Sequence, residues 1–398
     1  MNAPLKQHLI DPEICIRCYT CEATCPIEAI THNDDNVVVD AKICNQCMDC
    51  IPVCPTGSID NWRVVNTPFT LDVQYSWEEL PEQEALEAAA GEPEATVEAL
   101  DDDVASLLTD AHSGAGGATR APATASKPVV NLYPPSRPVV ARVQGNYQLT
   151  ENTDDNDVRH IILDLGEHRF PVLEGQSLGI IAPGTRDNGK PHLPRLYSVS
   201  SPRDGERSNF NNLSLTVKRE ADGVCSNYLC DLEKGDEVEV TGPFGATFLL
   251  PSDPKAQLLL ICTGTGSAPF RAFTMHRSRV TVNHEKPMLM FFGARTPETL
   301  PYFGPLKKVP ESLLQQHLVF SRLQDQPKRY VQDEMMDNAT KILDVLSNEN
   351  GYVYICGLRA MEDGVNQALE RISNDAGKDW LALRDHMRSE GRYHVETY

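Results

Sequence analysis

Eight cysteines in two matched runs are the first residues here that could do chemistry. Cys15, Cys18, Cys21 and Cys25 are followed by Pro26; Cys44, Cys47, Cys50 and Cys54 are followed by Pro55. Three thiolates on a tight loop with a fourth set slightly apart can hold an iron–sulfur cluster. Zinc or disulfides are the other uses of so many thiols. Zinc ribbons, however, use separated C-x2-C pairs rather than consecutive triplets, and disulfides need a secreted chain. Further along, Arg195-Leu196-Tyr197-Ser198 sets a guanidinium fork, a flat ring and a hydroxyl on one short run. Thr263-Gly264-Thr265-Gly266 follows an apolar strand, where glycines let backbone approach a pyrophosphate at a helix N-terminus. Ser321, Arg322, Lys328, Tyr330 and Gln332 gather cations, a ring and hydrogen-bonding groups suited to a nucleotide phosphate. Each piece alone is an ordinary strand, turn or solvated rim. Together they suit a flavin standing between a two-electron donor and one-electron carriers.

The cysteine spacing resembles that of bacterial two-cluster ferredoxins, in which the fourth cysteine of each run ligates the other cluster. The resemblance assigns Cys15, Cys18, Cys21 and Cys54 to one 4Fe–4S cluster, and Cys44, Cys47, Cys50 and Cys25 to the second. The stretches Gly189–Ser201, Leu215–Arg219 and Gly223–Leu232 resemble plant-type ferredoxin–NADP reductases. That resemblance implies that Arg195 pairs with the FAD pyrophosphate, Tyr197 stacks on the isoalloxazine beside Leu196, and Ser198 lies near flavin N5. It places Lys218, Gly223, Val224, Cys225 and Ser226 around the FAD phosphates, and Thr263, Gly264, Thr265, Gly266 and Pro269 around those of NADPH. Ser321, Arg322, Lys328, Tyr330 and Gln332 would take its 2′-phosphate and adenine. Cys356-Gly357-Leu358 would face the nicotinamide, Tyr398 would gate the flavin face, and Glu396 would carry a proton near Ser198. One departure stands out. Only Glu220-Ala221-Asp222 separates Arg219 from Gly223, too short for the adenine-stacking loop of plastid enzymes.

These residues need elements to hold them. The fold expected is multidomain: a ferredoxin-like α+β domain over 1–66, an antiparallel β-barrel FAD domain over 136–255 and a parallel-sheet α/β NADP domain over 256–398. His160–Leu165, Leu196–Ser200, Leu213–Arg219 and Glu237–Thr241 read as barrel strands; Gln257–Cys262, Met288–Arg295 and Val353–Gly357 read as sheet strands. Residues 67–135 read as an acidic, Ala/Gly-rich linker unable to build a core. Within it Leu86, Val97, Leu100, Val104, Leu107 and Leu108 could form a short helical stripe.

Net charge is −21, and 13 acidic residues with no Lys or Arg fall between Asp72 and Asp110. Clustered acid argues against nucleic acid and anionic membrane as partners. No apolar run reaches the ~20 residues of a membrane span, and Met1–Ile10 lacks a signal segment, so a cytoplasmic protein is expected. The order of the fused parts resembles the reductase components of benzoyl-CoA 2,3-epoxidase systems. That implies a separate di-iron oxygenase as electron acceptor, in aerobic degradation of benzoate through CoA thioesters. A general NADPH–ferredoxin reductase serving other acceptors is the alternative, and a homodimer is left open.

Overall fold

Period-two alternation and continuous apolar runs divide the strands into two kinds, and each kind builds its own sheet. The computed structural model describes residues 5–45, 49–51, 53–54, 56–59, 61–65, 67–81, 119–151, 156–186, 188–206, 210–280, 286–324 and 326–398. They fall into two compact units: residues up to Pro81, with 252–254 and 276–280, lie in the first, and 119–251, 255–275 and 286–398 in the second. The helical stripe expected from Leu86 to Leu108 lies outside the described residues.

In the first unit, β1 (Leu5–Leu9) pairs antiparallel with β4 (Asn61–Val65), and β2 (Ile30–His32) with β3 (Val37–Val39). Helix α1 (Thr20–Thr24) lies within the first cysteine run. Ile10, Ile30, Val37, Val39, Ile51 and Ile59 make a small core shared with the cysteines. Residues 67–81, expected in the linker, fold into this unit. Gln74 on α2 (Leu71–Tyr75) is buried and bridges to the backbone of Val39, accepting from its N–H at 3.3 Å and donating to its carbonyl at 3.0 Å.

The second unit begins with the barrel. Its strands are β5 (Val139–Gln148), β6 (Val158–Asp164), β7 (Ser177–Ile181), β8 (Arg195–Ser198), β9 (Asn212–Lys218) and β10 (Glu237–Phe244). They pair in the order β8-β7-β10-β5-β6-β9, and a bridge between Val199 and Leu215 joins the two ends. Alternation drives this arrangement: along β5, Val139, Ala141 and Val143 are buried while Val140 and Arg142 face out. The inward residues, with Leu178, Ile180, Leu213, Leu215 and Val217, fill the barrel. Helix α3 (Val224–Asp231) packs on it through Leu229 and Cys230.

The central C-terminal strands, over 257–263, 288–294 and 351–357, are almost wholly apolar, because both their faces are covered, whereas the edge strands over 314–320 and 393–397 carry polar residues. β11 (Gln257–Thr263), β12 (Met288–Ala294), β13 (Leu314–Phe320), β14 (Gly351–Gly357) and β15 (Tyr393–Thr397) form a parallel sheet in the order β13-β12-β11-β14-β15. Leu258, Leu260 and Cys262 pack with Phe270 and Phe273 of α4 (Ser267–Val280). Leu259 and Ile261 face the other way, towards α5 (Val331–Asp337), α6 (Ala339–Leu346), α7 (Arg359–Asp375) and α8 (Trp380–Ser389).

The far end of the expected linker also has partners. Thr119 Oγ1 donates to the Tyr393 carbonyl at 2.9 Å, Gln176 Nε2 to the Val129 carbonyl at 3.0 Å, and Asn131 N–H to the Pro243 carbonyl at 2.7 Å. A segment expected to build no core is held here by backbone and side-chain hydrogen bonds, and its Tyr133 joins the barrel core.

Candidate functional site

Strand β8 is held by β7, with Ser198 opposite Ser177 and Tyr197 opposite Leu178. Gly179 lets the barrel close behind it: a Cβ there would lie 2.4 Å from Thr241 Oγ1. Leu196, Tyr197 and Ser198 are half-buried and Arg195 is exposed. Burial, and then the neighbouring Cys225 thiol, raise the Tyr197 phenol above its ordinary value. Burial pushes the Cys225 thiol up to about 11, while the Tyr197 hydroxyl and the Arg195 charge pull it back. The R-L-Y-S strand and the first turn of α3 therefore meet. That helix starts after Gly223 with no side-chain cap and no acid in its first turn, which favours an anion at Val224, Cys225 and Ser226. Ser226 Oγ donates to the Gly223 carbonyl at 3.2 Å and shapes the turn. Among the described residues Arg195 is in no ion pair. Lys218 lies 2.7 Å from Glu220 in an exposed pair, a weak tie. The short turn after Arg219 is rigid. Asn227 Nδ2 donates to the carbonyls of Glu220 and Gly223, each at 3.0 Å, and Arg219 pairs with Asp157 and Asp231 at 2.9 and 2.7 Å. It offers no ring for an adenine.

The residues expected to face the nicotinamide converge at the C-terminal ends of β11, β14 and β15. Sheet order reverses between β11 and β14, the place where such sheets bind nucleotides. Register sets Cys262 beside Cys356 and Cys356 beside Glu396. The turn Gly264–Gly266 presses on β14: a Cβ at Gly266 would lie 2.1 Å from the Cys356 carbonyl oxygen. Pro269 lies in the first turn of α4, where its missing N–H costs nothing. Thr263 Oγ1 accepts from the Leu358 N–H at 3.4 Å, and Gly357 holds φ at +142°. The Tyr398 N–H donates to the Gly357 carbonyl at 3.0 Å, and its hydroxyl lies 2.5 Å from Thr265 Oγ1. The residue as a whole is 56% exposed, while burial raises its phenol above the ordinary value. Burial, then Glu396 and Cys262, raise the Cys356 thiol well above its ordinary value. Burial pushes the Glu396 carboxyl up to about 8, so it is protonated at neutral pH.

At the end of β13, Ser321 N–H and Oγ both donate to the Ala294 carbonyl, at 3.0 and 3.4 Å. Arg322 and Lys328 are exposed and, among the described residues, in no ion pair. Their neighbour Arg329 is instead committed to Glu334 and Asp337. Tyr330 is 48% exposed, and Gln332 packs against Gly364. Free cations beside an open ring fit a phosphorylated nucleotide.

The cysteines sort across the two runs. Burial, then Cys54, and further Cys15 and Cys18, push the Cys21 thiol up to about 12. Cys25, Cys44 and Cys50 line one cavity with Ile30 and Val39. Cys47 lies outside the described residues. The Ala29 N–H donates to Cys25 Sγ at 3.2 Å, and Cys54 Sγ lies 3.3 Å from Ser58 Oγ. Such contacts favour thiolate ligands, and the cavity lined by Cys25, Cys44 and Cys50 is largely apolar.

Over 287 residues the chain is 38% identical to the cyanelle ferredoxin–NADP reductase of Cyanophora paradoxa, across 68% of this chain and 79% of that protein. With the ferredoxin–NADP reductase of Spirulina sp. it is 36% identical over 290 residues, 98% of that protein. The chain belongs to the ferredoxin–NADP reductase family. The solved ferredoxin–NADP+ reductase of Plasmodium falciparum is 26% identical, with a TM-score of 0.53 over 68% of this chain and 99% of that one. Family models for an oxidoreductase FAD-binding domain, an oxidoreductase NAD-binding domain and a 4Fe–4S dicluster domain match residues 148–248, 260–367 and 14–58. This reductase is therefore an NADPH-dependent FAD oxidoreductase, with a ferredoxin domain carrying two 4Fe–4S clusters on the same chain. No helix among the described residues is long and apolar enough to cross a membrane.

A polar cluster that the motifs do not announce lies behind β8. Arg271 of α4 donates twice to Glu206, at 2.8 and 2.6 Å, and once to the Ser200 carbonyl at 2.7 Å. His160 Nε2 stands 3.3 Å from Glu206, and Tyr302 OH joins His160 Nδ1 at 3.0 Å to Thr216 Oγ1 at 2.6 Å. Burial alone would raise the Glu206 carboxyl, but His160 and Arg271 outweigh it and hold it far below the usual carboxylate range. The only sequence signal was Arg271 itself, closing T-G-T-G-x-A-P-F-R; Glu206 lies 65 residues away with no pattern around it.

Proposed function

We propose that this reductase passes electrons from NADPH through FAD and its own two clusters to a separate oxygenase, the di-iron benzoyl-CoA epoxidase of aerobic benzoate degradation. The observation that carries the reading is a 4Fe–4S dicluster domain placed ahead of a complete reductase on one chain. FAD accepts a hydride and releases electrons singly, which the protein's own side chains do not do.

The residues supply position and charge. Arg195 and the first turn of α3, over Val224–Ser226, bind the FAD pyrophosphate. Tyr197 stacks on the flavin ring, and Ser198 lends a hydroxyl at its reacting edge. Gly264–Gly266 and the start of α4 take the NADPH pyrophosphate, while Arg322 and Lys328, with Ser321, hold its 2′-phosphate and Tyr330 and Gln332 its adenine. Cys356 lies beneath the nicotinamide, Tyr398 shields the ring face until the coenzyme arrives, and Glu396 moves a proton. Cys15, Cys18, Cys21 and Cys54 bind one cluster; Cys25, Cys44, Cys47 and Cys50 bind the other.

A second reading is a general NADPH–ferredoxin reductase serving several acceptors. What favours it is that the relatives named above are ferredoxin–NADP reductases by name. Anaerobic stopped-flow spectroscopy with NADPH separates the two. Flavin bleaching, then cluster reduction, then reoxidation dependent on oxygen, benzoyl-CoA and the oxygenase supports the first. Flavin and cluster reduction with no electrons drawn by the oxygenase supports the second.

A further inference from the structure

Three features of the Arg271 cluster belong together. Its guanidinium donates to the carbonyl of Ser200, two residues beyond Ser198 at the end of the flavin strand. It is clamped by both oxygens of Glu206, which also accepts from Ser214 Oγ of β9 at 2.8 Å. And it sits on α4, whose N-terminal end grows directly from the Gly264–Gly266 turn that meets Tyr398 and the Cys356 carbonyl. One planar, always-charged side chain thus spans from the strand carrying Ser198 to the helix carrying the nicotinamide-side turn. Tyr302 backs the guanidinium, its ring centroid 5.0 Å away, and holds His160 against the far side of Glu206.

We propose that Arg271 is a positioning residue for hydride transfer: through Ser200 and Glu206 it fixes the separation between the flavin strand β8 and the nicotinamide pocket at the ends of β11, β14 and β15. The proposal rests on Ser198 lying beside the flavin and Cys356 beside the nicotinamide. Arg271 touches neither reacting atom. It acts by setting a distance, and a hydride step is steep in distance: a shift of about 1 Å costs on the order of a hundredfold. A bidentate fork suits this because it fixes orientation as well as length. Lysine keeps the charge but, as a point charge on a flexible stem, lacks the planar fork that fixes orientation.

The test uses the whole chain with FAD and clusters loaded, reduced anaerobically by NADPH and by NADPH deuterated at the transferred position. Arg271→Lys keeps the charge and loses the fork. Arg271→Met with Glu206→Leu removes the buried pair as a unit, so that no lone charge is left to unfold the protein. In the double variant flavin reduction slows by about tenfold or more, with the isotope effect expressed in full, while FAD content and NADP+ affinity stay within about twofold. Arg271→Lys falls between it and the wild type. Wild-type flavin reduction in the double variant overturns the proposal. So does a parallel loss of FAD, NADP+ binding and rate in both variants, which would make the cluster merely structural. Ser198→Ala is run alongside. If it leaves flavin reduction untouched, the flavin-strand reading fails, and the proposal with it. If it slows reduction while the Arg271 variants do not, only the proposal fails.

Discussion

Glu396 shows how one buried group makes stability depend on pH. Its carboxyl, usually near 4.5, is pushed up to about 8 by burial on β15, beside Cys356 of β14. The folded protein therefore keeps a proton that the unfolded chain has already lost. Its contribution to stability is complete below the ordinary value and drains away as pH rises towards the folded one. Glu396→Gln stays neutral throughout, so its thermal midpoint should gain on the wild type between about pH 5 and pH 8, by an amount equivalent to a few kcal/mol. Parallel melting curves across that range check it; a constant offset would mean that Glu396 is charged in the folded state. The same proton makes Glu396 a donor at neutral pH. In the sequence it was visible only through the terminal motif, because burial, the cause of its shift, comes from strands distant in the chain.

At the scale of elements, Gly266 is the tight point of the turn after β11. Its added Cβ would meet a backbone carbonyl at 2.1 Å, and a carbonyl in the middle of a sheet cannot swing aside. Gly266→Ala should cost roughly 1–3 kcal/mol and weaken NADP+ binding by about tenfold or more, with FAD retained; titration and thermal melting measure both. The cysteine loops make a second prediction. If each loop serves both clusters, Cys25→Ser damages the cluster of the second run and leaves that of Cys15, Cys18 and Cys21 intact, as iron content and paramagnetic resonance would show. Elements like these were largely legible. The runs His160–Leu165 and Leu213–Arg219 appear as β6 and β9 within two residues: β6 is buried mainly on one face, and β9 is buried along almost its whole length. β5 and β7 lie outside the runs named from sequence. β5 alternates well at first, but a bulge at Gly145, where the Tyr147 ring sits within 2.4 Å of a would-be Cβ, breaks the period. Linker composition suggested that residues 67–81 and 119–135 build no core, yet Tyr133 enters the barrel core with Leu132 packed against it. It could not show that single backbone hydrogen bonds hold them, since those partners lie up to hundreds of residues away.

For the whole molecule, the consequence of fusion is kinetic. A donor and its one-electron carriers on one chain meet at an effective concentration set by the connection, not by dilution. Cluster reduction after flavin reduction should therefore show a rate constant unchanged over a tenfold range of protein concentration (approximately). A rate rising in proportion to concentration would mean that clusters are reduced by neighbouring molecules. The acidic balance of −21 belongs to this scale too. It disfavours polyanions as partners and makes encounter with a basic acceptor faster at low salt.

The barrel's seam has a further meaning. Its two end strands meet through the Val199–Leu215 bridge, the Ser200 N–H to Ser214 carbonyl bond at 2.8 Å and a hydroxyl contact between the same serines at 2.9 Å. The residue that closes over that junction, Arg271, comes from the nucleotide-binding half. The two halves of the reductase are thus not interchangeable modules. A barrel transplanted alone would arrive unlatched, and swapping nucleotide-binding halves between relatives would succeed only where the latch travels with its socket.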